Sequence, residues 1–302
     1  MKSSLHKTLI AIGGPTGVGK TATAIALAQH YGCQIINADS RQVYHELNIG
    51  VNKPGKDQLT QVPHHLIGHV SIEQPYSAGM YERDAMGVIR TLFQKNNKLI
   101  LVGGTGLYMK AVLQGLDEFP GISDEIKSTV DAFYQTEGLQ GLQKQVASVD
   151  PEYYKTADQK NPRRLSRALE VYYSTGKPYS EQRNNQIKAR DFNPITIFIN
   201  DERQKVYNQI DHRVDEMIQQ GLEQEVRSLI PFRHLKSLET VGYREWWDFF
   251  DGAIKKEIVI EKIKQHTRNY AKRQWTWWKP LKWSSFAPND IHKIIEYIDQ
   301  AI

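Results

Sequence analysis

The sequence is poor in the groups that would assign it to several broad classes. A single cysteine, Cys33, occurs in 302 residues, which excludes an internal disulfide and a multi-cysteine metal site and fits a reducing compartment. No apolar run approaches the roughly 20 residues that span a bilayer. The opening MKSSLHKTLIAIGG has the basic start of a secretory signal, but its apolar run of about five residues is too short for one. It reads instead as a first strand, and the cytoplasm is the expected location. No internal repeat or low-complexity tract is present. With 40% hydrophobic and 24% charged residues, the composition is that of a globular chain long enough for two domains.

Two carboxylates are missing where nucleotide chemistry would put them. The candidate strand KLILVGG ends in Gly103 and Gly104, not in the Asp that helps hold magnesium in nucleotide-hydrolysing phosphate-loop enzymes. NKPG, Asn52–Gly55, resembles the guanine-reading NKxD signature but has Gly where Asp must accept from the base. A switch GTPase is thereby excluded.

What is present begins with IAIGGPTGVGKT. Gly14, Gly19, Lys20 and Thr21 match the G-x-x-x-x-G-K-[ST] phosphate loop. The apolar run Leu9–Ile12 precedes the loop and the helix formers Ala22–Ala28 follow it, so the glycines sit at a strand-to-helix turn. Gly14, Pro15, Thr16, Gly17, Val18, Gly19, Lys20 and Thr21 thus form a candidate phosphate cradle. Further strand-like runs precede helical patterns: Gln34–Asn37 before DSRQVY, and Lys98–Val102 before GGTGLYMKAVL, with Ile195–Asn200 as a fourth strand. This alternation predicts an α/β fold, a P-loop NTPase-like parallel sheet covered by helices. Residues 1–116 and 194–302 are assigned to that core, and 117–193 to a mainly helical insertion. After Asp201 the pattern is helical nearly to the end.

The net charge is +5 and unevenly spread. Between Lys255 and Trp283, nine Lys or Arg face two glutamates, a local +7. Trp275, Trp277, Trp278 and Trp283 lie in the same segment, and basic groups interleaved with rings suit looped RNA; the tryptophans themselves fit core packing better. In NPRRLSRALEVY, Asn161 is a helix cap and Pro162 a first helical residue, which sets Arg163, Arg164 and Arg167 on one face and Leu165, Leu169 and Tyr172 on the packing face. Asp39 follows the second strand at the carboxyl edge of the sheet, where ligands bind. It can accept a proton, or cap the element that follows.

The stretches GPTGVGKT, DSRQVY, NIGVNKP, HHLIG, YSAGMYERDA, LVGGTGLYMKAV, NPRRLSRALEVYYSTGKP, DHRVDEMIQQGLEQEV, VGYRE and TRNYAKRQWTWWK occur in this order. The chain from about Ile10 to Lys279 thereby resembles the tRNA dimethylallyltransferases, also called tRNA isopentenylpyrophosphate transferases. It departs from their pattern at Gly68, where the family commonly has Asp, and at GVNKP, where the family has GTAKP.

The resemblance implies transfer of a dimethylallyl group from dimethylallyl diphosphate to the exocyclic N6 amine of the adenosine at tRNA position 37, beside the anticodon. It implies that Gly14 to Thr21 and Arg213 hold the diphosphate with Mg2+ near Thr21, and that Asp39 is the base, with Thr21 and Arg213 assisting. An ion pair of Arg213 with Asp215 or Glu216 is the competing reading. It further implies that Asp39, Ser40, Arg41, Gln42 and Thr105 meet the everted base and its neighbours, Thr105 being otherwise a helix cap. Lys127, Arg163, Arg164, Leu165, Ser166 and Arg167 would meet the anticodon stem-loop. A monomer is expected. The competing functions are a phosphate-loop small-molecule kinase and a non-catalytic RNA-binding module.

Overall fold

The computed structural model describes residues 7–119, 121–184 and 186–302; the first six residues of the basic opening lie outside them. Six strands, β1 (Thr8–Gly13), β2 (Ile35–Asn37), β3 (His64–His65), β4 (Lys98–Val102), β5 (Asn193–Ile199) and β6 (Ser284–Phe286), form one sheet in the order β3-β2-β4-β1-β5-β6. Every pairing is parallel, with Ile10 opposite both Ile100 of β4 and Ile195 of β5. Helices cover both faces, which is why all six residues of β1 are buried. Alternate residues separate to the two sides: Leu9, Ala11, Leu99 and Leu101 enter one core, and Ile10, Ile12, Ile100 and Val102 the other. Each of the Leu, Ile and Val side chains among them contributes about 1.5–3 kcal/mol by leaving water.

This is the α/β phosphate-loop architecture expected from the alternation of strands and helices. β3 and β6 were not expected, and β6 interrupts the helical reading of the chain after Asp201. DSRQVY is not helical. Asp39 Oδ1 accepts from the backbone N of Arg41 at 2.8 Å and of Gln42 at 3.4 Å, closing a turn, and Tyr44 then forms a parallel bridge with Val70. The side chain competes for the amides a helix would use.

The chain divides into two compact units, residues up to Gln114 together with Ala189–Ile302, and Gly115–Lys188. The second unit is helical. Its Asp124–Val149 helix is broken at Gly138, at φ +64°, and its core is Val130, Leu142, Val146, Tyr153, Leu165, Ala168 and Leu169. The buried Asp150 accepts from Tyr153 N at 3.0 Å and Ser180 N at 2.7 Å, joining the short helices Pro151–Thr156 and Tyr179–Gln182. The Pro162–Thr175 helix starts as expected, the Asn161 side chain accepting from Arg164 N. No helix among the described residues is long and apolar enough to cross a membrane.

Candidate active site

The carboxyl ends of β1, β2 and β4 bring the sequence's candidate residues in the sheet unit together. After β1 the chain turns through the phosphate loop into the Lys20–Tyr31 helix. Gly19 is its cap at φ +96° and supplies no capping side chain, so the N–H groups of the first turn stay open to an anion. Gly14 admits no side chain, because a Cβ there would lie 2.4 Å from the Ile199 carbonyl oxygen. Two cradle positions are tied within the chain. The Thr16 N–H donates to Gln274 Oε1 at 2.8 Å. Pro15 has no N–H, and its carbonyl accepts from Lys20 Nζ at 2.7 Å. The Val18 side chain belongs to the core, leaving only its backbone for the loop.

Lys20 carries the clearest electrostatic signal. Burial pulls its pKa down to about 7, the carboxylate of Asp39 pulls it back up, and the guanidinium of Arg213 adds to the lowering. Arg213, on the Arg203–Gln219 helix, is likewise lowered by burial. Of the two acids on its own helix, Asp215 pairs with Lys264 at 2.7 Å, while Glu216, 3.3 Å from His212, partly offsets the lowering of Arg213 without forming an ion pair with it. Among the described residues Arg213 forms no ion pair. Two desolvated cations that repel each other beside an open helix N-terminus make a site whose charge calls for an anion.

Asp39 stands across from them on the turn after β2, positioned by a chain of hydrogen bonds. Ala38 N donates to Val102 O at 2.7 Å and Thr105 N to Ala38 O at 3.2 Å. The Thr105 hydroxyl accepts from Ser40 N at 2.9 Å and donates to Ser40 Oγ at 3.2 Å. The Thr105 backbone carbonyl opens the Gly106–Gln114 helix while its side chain ties to the Asp39 turn, so the hydroxyl is not the cap of that helix. Arg41 Nη1 donates to Ser237 O at 3.3 Å, and Gln42 Nε2 to the carbonyls of Val51 and Asn52 at 3.1 and 2.8 Å. Oδ1 of Asp39 holds the turn, whereas Oδ2 has no hydrogen-bond partner among the described residues.

Two site residues are not evident from the sequence. Gln274 is buried and bridges Thr16 N to the Gly104 carbonyl, which accepts from Nε2 at 2.9 Å. Tyr270 has its phenol raised to about 12, by burial first and by Asp39 second, with Arg41 and a Thr105 hydrogen bond acting the other way. Both lie on the Lys256–Trp278 helix. Ala271, Gln274 and Trp278 share its buried face, and a glutamine at an apolar position was the available signal. The tryptophans are structural: Trp278 is buried against Gly13, and Trp275 Nε1 donates to Asn200 Oδ1 at 2.8 Å. Both departures from the family pattern sit at left-handed φ, Asn52 at +51° and Gly68 at +58°, where Asn and Gly are the tolerant residues.

In the helical unit Arg163 and Arg164 are exposed, while Arg167 pairs with Glu170 at 3.1 Å and lies over the Phe119 ring. Leu165 is fully buried in the unit's core and Ser166 is 9% exposed, so any contact they make with RNA runs through the backbone. Lys127 pairs with Asp124 at 2.8 Å in the first turn of the Asp124–Val149 helix.

The family model described as IPP transferase matches residues 42–280. The chain is 45% identical over 297 residues to the tRNA dimethylallyltransferase of Christiangramia forsetii, covering 97% of this chain and 98% of that one. It is 42% identical to tRNA dimethylallyltransferase 1 of Bacteroides thetaiotaomicron, covering 96% and 95%. Among solved structures, it is similar to the full-length tRNA isopentenylpyrophosphate transferase of Bacillus halodurans, with a TM-score of 0.72, 31% identity and coverage of 97% of this chain and 96% of that one. It is also similar to a eukaryotic dimethylallyltransferase described as acting on tRNA, with a TM-score of 0.77, 27% identity and coverage of 90% and 70%.

Proposed function

This chain belongs to the tRNA dimethylallyltransferase family, and from that premise we propose that it prenylates the N6 amine of the tRNA adenosine beside the anticodon, with dimethylallyl diphosphate as donor. The observation that carries the reading is the pair of desolvated cations, Lys20 and Arg213, set beside an uncapped helix N-terminus, with Lys20 electrostatically coupled to Asp39. A diphosphate on the cradle answers that charge. The adenine lone pair forms a bond to the C1 carbon of the donor, the bond from C1 to the diphosphate oxygen breaks, and the electron pair leaves with pyrophosphate. The amine is a poor nucleophile, and Oδ2 of Asp39 is free to accept its proton as the new bond forms. Lys20, Arg213 and the open amides from Gly17 to Thr21 stabilise the charge that accumulates on the leaving group.

A magnesium ion fits the donor set. The Thr21 hydroxyl has no hydrogen-bond partner among the described residues, which also contain no cluster of three His, Cys, Asp or Glu side chains able to hold a metal. Such an ion would take its other ligands from phosphate oxygens and water, and would supply charge neutralisation on the leaving diphosphate. A small-molecule kinase would share the loop and Asp39 but gives no role to the exposed Arg163 and Arg164. The proposed enzyme works as a monomer in the cytoplasm.

Incubation with unmodified tRNA and labelled dimethylallyl diphosphate tests the reading. Label should enter RNA; consumption of ATP with a metabolite acceptor and no labelled RNA would replace it with the kinase. Asp39→Asn keeps an oxygen to close the turn but removes the proton acceptor, and should lower turnover by about 10²–10⁴-fold with tRNA affinity unchanged.

A further inference from the structure

NIGVNKP, the GLEQEV end of the stretch that contains Arg213, and VGYRE meet at one carboxylate. Glu225, on the Leu222–Ser228 helix, accepts four hydrogen bonds. Its Oε1 takes the N–H groups of Asn48 and Gly50 at 3.3 and 3.2 Å and the Tyr243 hydroxyl at 2.6 Å, and its Oε2 takes the N–H of Ile49 at 2.8 Å. Three consecutive amides converging on one carboxylate form an anion nest filled from within the chain. Tyr243 is fully buried, and its phenol is pushed well above the usual range by burial and then by Glu225, so it stays a donor. Gly50 admits no side chain here, since a Cβ would lie 2.5 Å from the Tyr243 ring.

The loop clamped in this way carries the two carbonyls that hold Gln42. Because Val51 O and Asn52 O can only accept, both must face the Gln42 amide nitrogen. Its Oε1 therefore points elsewhere and has no partner among the described residues. On the opposite side Gly68 N donates to Gln42 O at 2.9 Å. Gln42 also shares the turn closed by Asp39. An oriented, unpartnered amide oxygen on the turn that Asp39 closes is a fitting acceptor for an exocyclic amine.

We propose that Glu225 is a positioning residue for the acceptor base: it anchors the Asn48–Lys53 loop, and through that loop fixes the Gln42 amide with its oxygen toward the adenine. The inference rests on the prenyl-transfer reading and deepens it. Glu225→Gln would set an NH2 group among three N–H donors and loosen the clamp, with Leu222 and Val226 still seated in the core.

The test measures kcat/KM for an anticodon stem-loop in wild type, Glu225→Gln, Gln42→Ala and the double variant, together with amide hydrogen exchange. Glu225→Gln should lower kcat/KM for RNA about tenfold, the scale of a hydrogen-bonded charge, with KM for the donor within about twofold. In the Gln42→Ala background the same change should matter less than about twofold, because coupled residues are not additive. Ile49 and Gly50 amides should exchange faster in Glu225→Gln. If Glu225→Gln fails to fold, Tyr243→Phe removes one of the four donors, keeps the ring, and should show the same coupling to Gln42→Ala at about threefold. Independent, multiplicative losses from Glu225 and Gln42 would overturn the proposal, as would unchanged Ile49 and Gly50 exchange. Absence of label transfer by the wild type would instead sink the reaction reading, while the exchange rates would still decide whether the clamp exists.

Discussion

Lys20 shows how a single residue can be unfavourable for the fold and necessary for the site. Its pKa of about 7 in the folded chain lies below the 10.5 of a free lysine. Below pH 7 the lysine is charged in both states, and the folded state bears the whole desolvation penalty. Between about pH 7 and 10.5 the folded state has released a proton that the unfolded state keeps, so stability rises with pH in that window. Lys20→Met should therefore melt higher than wild type at pH 6 when no diphosphate is bound, and should lose this part of the pH dependence above 7. Transfer should fall by at least about 10²-fold, as when an electrostatic stabiliser is removed from a developing anion. Calorimetry across pH with steady-state kinetics checks both; a lower melting temperature at pH 6 would contradict the desolvation account.

At the scale of elements, the Lys256–Trp278 helix is what the phosphate loop leans on. Gln274 holds Thr16 N and Gly104 O together, joining the ends of β1 and β4. Gln274→Ala leaves both groups unpaired in a buried place, and should cost about 1–3 kcal/mol of stability. It should also raise KM for the donor more than KM for RNA; equal changes in the two would show that the helix does not support the loop specifically. The sequence made β1, β2, β4 and β5 legible, because each is a largely buried, mostly apolar run followed by turn or capping residues. It did not reveal β3 and β6, because His64–His65 and Ser284–Phe286 are mostly polar and none of their residues is fully buried, so they form no apolar run. DSRQVY misleads for a different reason: its spacing suits a helix, but the Asp39 side chain takes the amides of Arg41 and Gln42 first. Gln274 is hidden in a run whose charge and rings draw attention outward. The Leu165 side chain packs in the core of the helical unit, as its spacing with Leu169 already implies.

For the whole molecule, recognition of RNA and transfer chemistry are expected to be separable. Arg163 and Arg164 project from the start of the Pro162–Thr175 helix without internal ion pairs among the described residues, whereas Arg167 is already engaged by Glu170. Arg163→Ala combined with Arg164→Ala should weaken tRNA binding and reduce the slope of log K against log salt by about two, one per phosphate contact. Turnover at saturating tRNA should be preserved. Arg167→Ala should weaken binding less and lower the melting temperature more. An unchanged salt slope in the double variant would remove these arginines from the RNA surface.

The most direct measurement is a crystal structure of the Asp39→Asn variant with a non-reactive dimethylallyl diphosphate analogue and an anticodon stem-loop. The diphosphate should be seated on the Gly17–Thr21 amides between Lys20 and Arg213, with the everted adenine amine within hydrogen-bond reach of residue 39. A diphosphate bound away from that loop, or an adenine still stacked in the RNA with the loop occupied, would contradict the proposed chemistry.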